Sequence, residues 1–172
     1  MRLLGAVLAG GESRRFGSDK ALALLDGKPL IEHAIAALAG QTEAVVVIGR
    51  AGGVSDRPAP GLGPLGGINA AIHHAAANGF DAVLTCPCDV PALPDDLAAQ
   101  LADGGYLAEM PVIGLWPATL GPGLDGWLAV DNERSVRGWA DAAGVQRVTL
   151  AAPIANLNTP ADLAAFRPGP AA

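Results

Sequence analysis

The stretch Leu3 to Lys20, LLGAVLAGGESRRFGSDK, decides the fold and locates the candidate site. Its apolar run, Leu3 to Leu8, is typical of a strand that is buried on both faces. The run ends at Gly10 and Gly11, which lack a Cβ and therefore let backbone N–H groups approach a ligand closely. A strand followed by paired glycines predicts a binding loop at the carboxyl end of that strand.

Three cations follow these glycines within seven residues, namely Arg14, Arg15 and Lys20. The whole chain carries a formal net charge of −6, so this positive charge is local and predicts a polyphosphate ligand. A tight turn with solvated charges is the simpler alternative. The loop is not a Walker A sequence, because neither Lys-Ser nor Lys-Thr follows Gly17.

Composition limits the class of protein. The 172 residues are 51% hydrophobic and 16% charged, which predicts one α/β domain over residues 1–172 with a flexible tail at 167–172. The acidic balance argues against general nucleic-acid binding, and no apolar run reaches the length of a membrane span. Cys86 and Cys88 are one residue too close for a CxxC site, and two free thiols are typical of a cytoplasmic protein.

Apolar runs bounded by turn residues predict three more buried strands, at residues 44–48, 82–86 and 111–115. Amphipathic spacing predicts helices that begin near Leu30, near Leu65 and near Pro94, the third with acidic residues in its first turn. This alternation predicts a doubly wound, mostly parallel, Rossmann-like sheet of the α/β class. Ligands of such sheets bind beyond the carboxyl ends of the strands.

Residues 61–66, GLGPLG, match the dinucleotide pattern G-x-G-x-x-G but follow a Pro- and Gly-rich loop rather than a strand. We therefore reject a dinucleotide fingerprint and predict a helix start with Pro64 near its first position. The loop before it, residues 52–63, is expected at the surface.

Two further polar segments each allow two interpretations. Asp89, in CPCDVP after the third apolar run, is either a ligand of Mg²⁺ or the N-cap of the next helix. We favour the metal, because that helix is expected to begin several residues later. In NLNTPADL at 156–163, Asn158 or Thr159 has the spacing of a helix cap, whereas capping does not explain Asn156. Its amide can form hydrogen bonds with a heterocycle.

Five segments in register resemble the molybdenum cofactor guanylyltransferase family over nearly the whole chain. They are LAGGESRRFGSDKAL at 8–22, DGKPL at 26–30, GPLGGI at 63–68, CPCDVP at 86–91 and NLNTPADL at 156–163. The resemblance implies a nucleotidyltransferase fold with three α/β/α layers. It also implies transfer of GMP from GTP to molybdenum-carrying molybdopterin, with Mg²⁺ as cofactor, release of pyrophosphate, and transient contact with molybdenum-insertion and molybdoenzyme maturation proteins.

Carried over to this sequence, the resemblance implies the following site. Backbone contacts to the guanine nucleotide would come from Leu8, Ala9, Gly10 and Gly11. Asp56, seven residues before GPLGG, would contact the nucleotide as well. The catalytic residues would be Arg15 and Lys20, which bind the phosphates, together with Asp89, which holds Mg²⁺. Asn156 and Asn158 would face the pterin.

Two alternatives stay open from the sequence. One is a related transferase that uses CTP or a sugar phosphate, and the other is a nucleotide-binding accessory protein without catalysis. The glycine pair Gly10-Gly11 and the GPLGG segment favour GTP, and the presence of Arg15, Lys20 and Asp89 together favours an enzyme.

Overall fold

A six-stranded sheet organises the chain, and its first strand is the apolar run that opens the sequence. A computed structural model describes residues 1–10, 19–130 and 134–166. Numbered along the chain, the strands are β1 (Leu3–Leu8), β2 (Leu24–Leu25), β3 (Lys28–Pro29), β4 (Ala44–Ile48), β5 (Ala82–Pro87), β6 (Gly105–Leu107), β7 (Gly114–Pro117) and β8 (Gln146–Val148). The helices are α1 (Leu30–Ala39), α2 (Pro64–Ala77), α3 (Leu97–Gln100), α4 (Gly121–Ala129), α5 (Val136–Ala142) and α6 (Pro160–Ala165).

The strand order is β4-β1-β5-β7-β6-β8, with β2 and β3 forming a separate hairpin. β1 pairs in parallel with both β4 and β5, and β6 pairs in parallel with β8. β7 runs antiparallel to its neighbours β5 and β6. The predicted doubly wound, mostly parallel sheet is therefore confirmed, and its topological switch point lies between β1 and β5.

Apolar side chains project from both faces of the sheet, as expected for a parallel sheet that is covered by helices on each side. Val83 of β5 packs in one cluster with α2, α4 and α5, whereas the next residue, Leu84, packs in another with α1 and α3. Both side chains are fully buried. These two clusters on opposite faces make the fold a three-layer α/β/α sandwich.

Trp116 of β7 belongs to this core. The side chain is fully buried, and its indole Nε1 donates to Thr85 Oγ1 at 2.8 Å. Its ring stacks on Tyr106, with the centroids 6.2 Å apart. A buried indole N–H needs such an acceptor, since an unpaired one would be costly.

Two boundaries differ from the sequence prediction. The strand predicted at 111–115 begins only at Gly114, because Pro111 to Ile113 form a turn in which Ile113 N donates to Met110 O at 2.9 Å. The third helix begins at Leu97 rather than near Pro94, and Asp95 and Asp96 precede it instead of lying in its first turn. In the first case a buried turn has the same apolar composition as a strand.

The remaining predictions on the fold have these outcomes. Pro64 opens α2, as the GPLGG segment indicated. Cys86 and Cys88 are free thiols. Among the described residues no helix is both long and apolar enough to cross a bilayer. The predicted flexible tail, 167–172, lies outside the described residues, and the extent of the domain over 1–172 stays a prediction.

Candidate functional site

The segments that follow β1, β4 and β5 meet at the switch point. Leu8 is level with Ile48 on one side and with Pro87 on the other. Beyond the strands, Ala9 N donates to Ile48 O at 3.0 Å, and Cys88 N donates to Leu8 O at 3.1 Å. These bonds join the three segments, so the loops that leave them begin from a common rigid edge.

A cavity of about 340 Å³ opens at this edge. Its size suits a small ligand such as a base or nucleoside. Asp56 is the charged residue among its lining residues, which are otherwise apolar or glycine. The lining consists of Leu8, Gly10, Ile48, Asp56, Gly61, Gly63, Pro64, Gly67, Pro87 and Val112.

Gly49 and Gly10 form a close backbone contact at this edge. Gly49 has φ +82°, and a Cβ at this position would lie 2.7 Å from Gly10 Cα and 2.8 Å from Gly10 N. No side chain fits such a gap, so both the conformation and the contact require glycine at 49. Gly49 was not among the predicted site residues, although a glycine directly after the apolar run 44–48 was the available signal.

The carboxylate of Asp56 lies against three glycines of the cavity. Its Oδ1 is 3.2 Å from where a Cβ of Gly49 would stand and 3.7 Å from that of Gly67, while Oδ2 is 3.6 Å from that of Gly10. Burial raises the pKa of this carboxyl above its usual value. Within residues 1–10, 19–130 and 134–166 no hydrogen bond to the carboxylate is formed, so its oxygens can accept from a ligand.

The second cluster joins three segments that are far apart in the chain. Lys20 Nζ donates to Asp89 Oδ2 at 2.6 Å and to Asn158 Oδ1 at 2.8 Å, across 69 and 138 residues of sequence. The side chains of Lys20 and Asp89 are only 13% and 16% exposed. Leu157 N also donates to Asp89 O at 2.9 Å, which attaches the segment 156–158 to the end of β5.

Asp89 was predicted to be either a helix N-cap or a ligand of Mg²⁺, and the structure bears on the first of these roles. The N-cap interpretation is wrong, because the next helix begins eight residues later at Leu97. Asp89 Oδ1 is buried and has no hydrogen-bond partner among the described residues. A buried, unpaired carboxylate oxygen costs free energy unless a cation or donor meets it, so this atom suits a hard cation such as Mg²⁺.

The part of the chain that the structure describes contains no cluster of three or more metal-binding side chains. A single protein carboxylate fits Mg²⁺ nonetheless, since this ion usually keeps several waters and takes substrate phosphate oxygens as ligands.

The capping interpretation of segment 156–163 is correct for Thr159. Thr159 Oγ1 accepts from Asp162 N at 3.1 Å, and Asp162 Oδ2 accepts from Thr159 N at 2.8 Å, which is a complete capping box. The Asn158 side chain is therefore not needed as a cap and instead contacts Lys20. Asn156, which immediately precedes the buried Leu157 in the sequence, is exposed.

Sequence reasoning missed the pair Arg50 and Asp19, which precedes Lys20. The guanidinium of Arg50 donates to Asp19 Oδ1 at 2.8 Å and to Oδ2 at 2.5 Å, and it holds the pKa of Asp19 below its usual value. Asp19 Oδ1 also accepts from Ala21 N at 3.2 Å. The pair attaches the end of the cationic loop to the segment after β4. No local sequence pattern predicts this contact.

Two predicted site residues, Gly11 and Arg15, lie in segment 11–18 and so outside the described residues. The structure brings six of the other eight into two groups. Leu8, Gly10 and Asp56 line the cavity, and Lys20, Asp89 and Asn158 form the polar cluster. Ala9 and Asn156 belong to neither group: Ala9 is buried with its N–H bonded to Ile48 O, and Asn156 is exposed.

Comparison with known proteins gives consistent results. A family model described as the MobA-like NTP transferase domain matches residues 5–136. A molybdenum cofactor guanylyltransferase of Rhodobacter capsulatus is 39% identical over 180 residues, covering 95% of this chain and 94% of that protein. One of Cereibacter sphaeroides is 40% identical over 187 residues, covering 95% of each.

Two solved structures share the fold at low identity. Molybdopterin-guanine dinucleotide biosynthesis protein A from Archaeoglobus fulgidus gives a TM-score of 0.68 at 21% identity, covering 94% of this chain and 95% of that one. CMP:2-keto-3-deoxy-manno-octonic acid synthetase gives a TM-score of 0.72 at 15% identity, covering 96% of each chain. Both share the fold over nearly the whole chain, which confirms the predicted three-layer α/β/α fold.

Proposed function

This chain belongs to the molybdenum cofactor guanylyltransferases, a family of nucleotidyltransferases, and we propose that GTP and molybdopterin carrying molybdenum are its two substrates. GMP would be transferred from GTP to the pterin, and pyrophosphate would leave. The cavity would take the base, and the cluster of Lys20, Asp89 and Asn158 would take the phosphates and the acceptor.

The unbonded, partly buried carboxylate of Asp56 is the observation that carries the choice of GTP. Guanine presents two adjacent donors on one edge, the N1–H and the 2-amino group. A carboxylate accepts such a pair with both oxygens, which is a strong arrangement when one partner is charged. Cytosine offers only one donor group on the matching edge, next to an acceptor that would face the carboxylate. Asp56 therefore favours guanine over cytosine.

Charge neutralisation is the task that we assign to the polar cluster. Lys20 is held against Asp89 by a 2.6 Å contact, and its ammonium would bind the phosphates and stabilise the charge that builds up on the leaving pyrophosphate. Arg15 would share this task. Mg²⁺, bound through Asp89 Oδ1, would supply further positive charge at the triphosphate.

The transfer itself requires little from side chains. A phosphate oxygen of the pterin attacks the α-phosphorus in line as the bond to pyrophosphate breaks. The attacking oxygen is already an anion, so no strong general base is needed, and catalysis depends on positioning and charge. Cys88, next to Asp89, does not serve as a nucleophile, because burial raises the pKa of its thiol to about 11.

The acceptor would bind beside segment 156–158. The Oδ1 of Asn158 accepts from Lys20, which leaves its amide N–H groups to donate to the pterin or its phosphate. Asn156, exposed two residues earlier, would contact the heterocycle. Through the bond from Leu157 N to Asp89 O, the acceptor side is attached to the metal-binding side.

Pyrophosphate release from GTP, Mg²⁺ and molybdopterin tests the activity, with CTP in place of GTP as the comparison. Turnover with GTP and little with CTP supports the proposal, and the reverse would establish a cytidylyltransferase. Binding of GTP without pyrophosphate release would instead indicate an accessory protein.

Lys20→Ala and Asp89→Ala are expected to lose most of the activity while they remain folded, because each removes a charge that faces the transferred group. The matched controls are Lys28→Ala and Asp95→Ala, which remove exposed charges of the same type outside the cluster. Near-normal turnover in Lys20→Ala or Asp89→Ala would contradict the assigned roles.

A further inference from the structure

Asp125 of α4 receives polar contacts from two other parts of the fold. Arg57 donates to it through one edge of its guanidinium, Nε to Oδ1 at 3.1 Å and Nη2 to Oδ2 at 3.0 Å. From α2, Asn69 Nδ2 donates to Oδ1 at 2.8 Å, and His73 Nε2 lies 3.0 Å from Oδ2. The contact with Arg57 holds the pKa of Asp125 at about 2, so the carboxylate is charged under ordinary conditions.

Asn69 shows that this arrangement is more than a surface ion pair. Its side chain is fully buried, and its amide is directed at Asp125, although its own Oδ1 has no partner among the described residues. A buried amide is costly unless it is satisfied, so an apolar residue would suit the helix packing better. The hydrogen bond from Asn69 to Asp125 explains why an amide occupies this position, because it fixes the orientation of the Asp125 carboxylate.

Arg57 directly follows Asp56, the carboxylate of the base cavity. The backbone of Arg57 is held as well, since Arg57 N donates to Gly66 O in the first turn of α2 at 3.0 Å. Loop 52–63 is thus fixed at one point by both a backbone bond and a bidentate side-chain pair. Because adjacent Cα atoms are held about 3.8 Å apart, a displacement of Arg57 is expected to displace Asp56 as well.

We propose that Asp125 and Arg57 are positioning residues that hold Asp56 in place for recognition of the guanine base. This inference rests on the proposed function, in which Asp56 accepts from the base. The bidentate pair fixes both the position and the rotation of the loop, as a single-point contact would not. Recognition by two parallel hydrogen bonds depends on that rotation, since a misaligned carboxylate keeps only one of them.

The inference concerns geometry rather than overall stability. The side chains of Arg57 and Asp125 are 48% and 35% exposed, and ion pairs with that exposure contribute little to folding. Loss of the pair is therefore expected to leave the protein folded and to act on base selectivity. A purely structural role would lower the melting temperature and leave selectivity unchanged.

Inosine triphosphate provides the test, because it lacks the 2-amino group and so can form only one of the two hydrogen bonds. Affinities for GTP and ITP are measured by titration calorimetry on the full chain with Mg²⁺. The wild-type protein is expected to prefer GTP by about tenfold or more, the usual effect of one hydrogen bond to a charged group. In Asp125→Asn and Arg57→Ala the ratio should fall at least about threefold.

Two further variants sharpen the comparison. Arg57→Lys keeps the positive charge but cannot donate two parallel hydrogen bonds to the Asp125 carboxylate. It is expected to give an intermediate GTP-to-ITP affinity ratio. Glu43→Gln removes a partner of Arg2 in an exposed ion pair of similar type and should leave the ratio unchanged. Circular dichroism of each variant shows whether it is folded.

The outcomes separate this inference from the proposed function. An unchanged GTP-to-ITP ratio in both Asp125→Asn and Arg57→Ala, or an equal loss of affinity for both nucleotides, would overturn the inference. If the ratio nevertheless falls in Asp56→Asn, the role of Asp56 in the proposed function stands. An unchanged ratio in Asp56→Asn would overturn that role itself.

Discussion

Replacing Gly49 by alanine tests whether its contact with Gly10 shapes the base cavity. The substitution has two costs, one from φ +82° and one from a Cβ that would lie 2.7 Å from Gly10 Cα. A non-glycine residue in the left-handed region costs about 1–2 kcal/mol. Forcing an extra methyl against packed atoms costs about a further 1–3 kcal/mol, and here the backbone of Gly10 has to move.

Gly52→Ala is the matched control, because the chain offers a second glycine only three residues away with almost the same conformation. Gly52 has φ +83°, and a Cβ there would have nothing within 4 Å. Gly52→Ala therefore measures the conformational cost alone. The difference between the two variants isolates the contact with Gly10.

The assays are thermal unfolding and GTP binding. Gly49→Ala should melt about 2–12 °C below Gly52→Ala, given about 2–4 °C per kcal/mol for a chain of this size. It should also bind GTP about tenfold more weakly or worse, whereas Gly52→Ala binds normally, because displacement of a positioned group has large effects. Equal melting temperatures and equal GTP affinities in the two variants would refute the reasoning.

Further predictions concern the core, an ion pair and the thiols. Thr85→Val should lower the free energy of unfolding, measured in urea, by about 1–3 kcal/mol, since it leaves the Trp116 indole N–H without its acceptor. Thr85→Ser keeps the hydroxyl and should therefore retain most of the wild-type stability. The folded-state pKa of Asp125 lies below its usual 3.8, so the stability that it contributes is present above pH 3.8 and is lost as pH falls through about 2. The difference in unfolding free energy between wild type and Asp125→Asn, which is small for a pair this exposed, should therefore shrink over that range, and a constant difference would contradict the assignment. Burial raises the pKa of Cys86 and that of Cys88, so both thiols should react with Ellman's reagent at pH 8 far more slowly in the native protein than in urea.

Much of the fold was predictable because three of the longer strands can be recognised from local apolar patterns. The runs 3–8, 44–48 and 82–86 are apolar on both faces, and each is a strand of the sheet. The short strands β6 and β8 were missed, because three residues such as Gly105–Leu107 are too few to show a period. Their pairing depends on neighbours distant in sequence, which a single segment does not reveal.

The site was predictable to the extent that it follows strands. Asp89 and Gly10 stand directly after β5 and β1, and topology alone brings them to one edge. The contact between Asn158 and Lys20 and the pair of Arg57 with Asp125 were not predictable in this way. They join surface loops to other segments through side chains, and such contacts leave no periodic or compositional trace in the sequence.

The contact between Lys20 and Asn158 makes completion of the polar cluster depend on a segment outside the sheet. Leu157 and Asn158 follow β8, and the base cavity is lined by other residues. The sheet and the base cavity are therefore expected to stay intact when segment 156–158 separates from Asp89. Such a separation would break the bond from Lys20 to Asn158 and the bond from Leu157 N to Asp89 O. Binding of the base and binding of the acceptor would then depend on different parts of the chain.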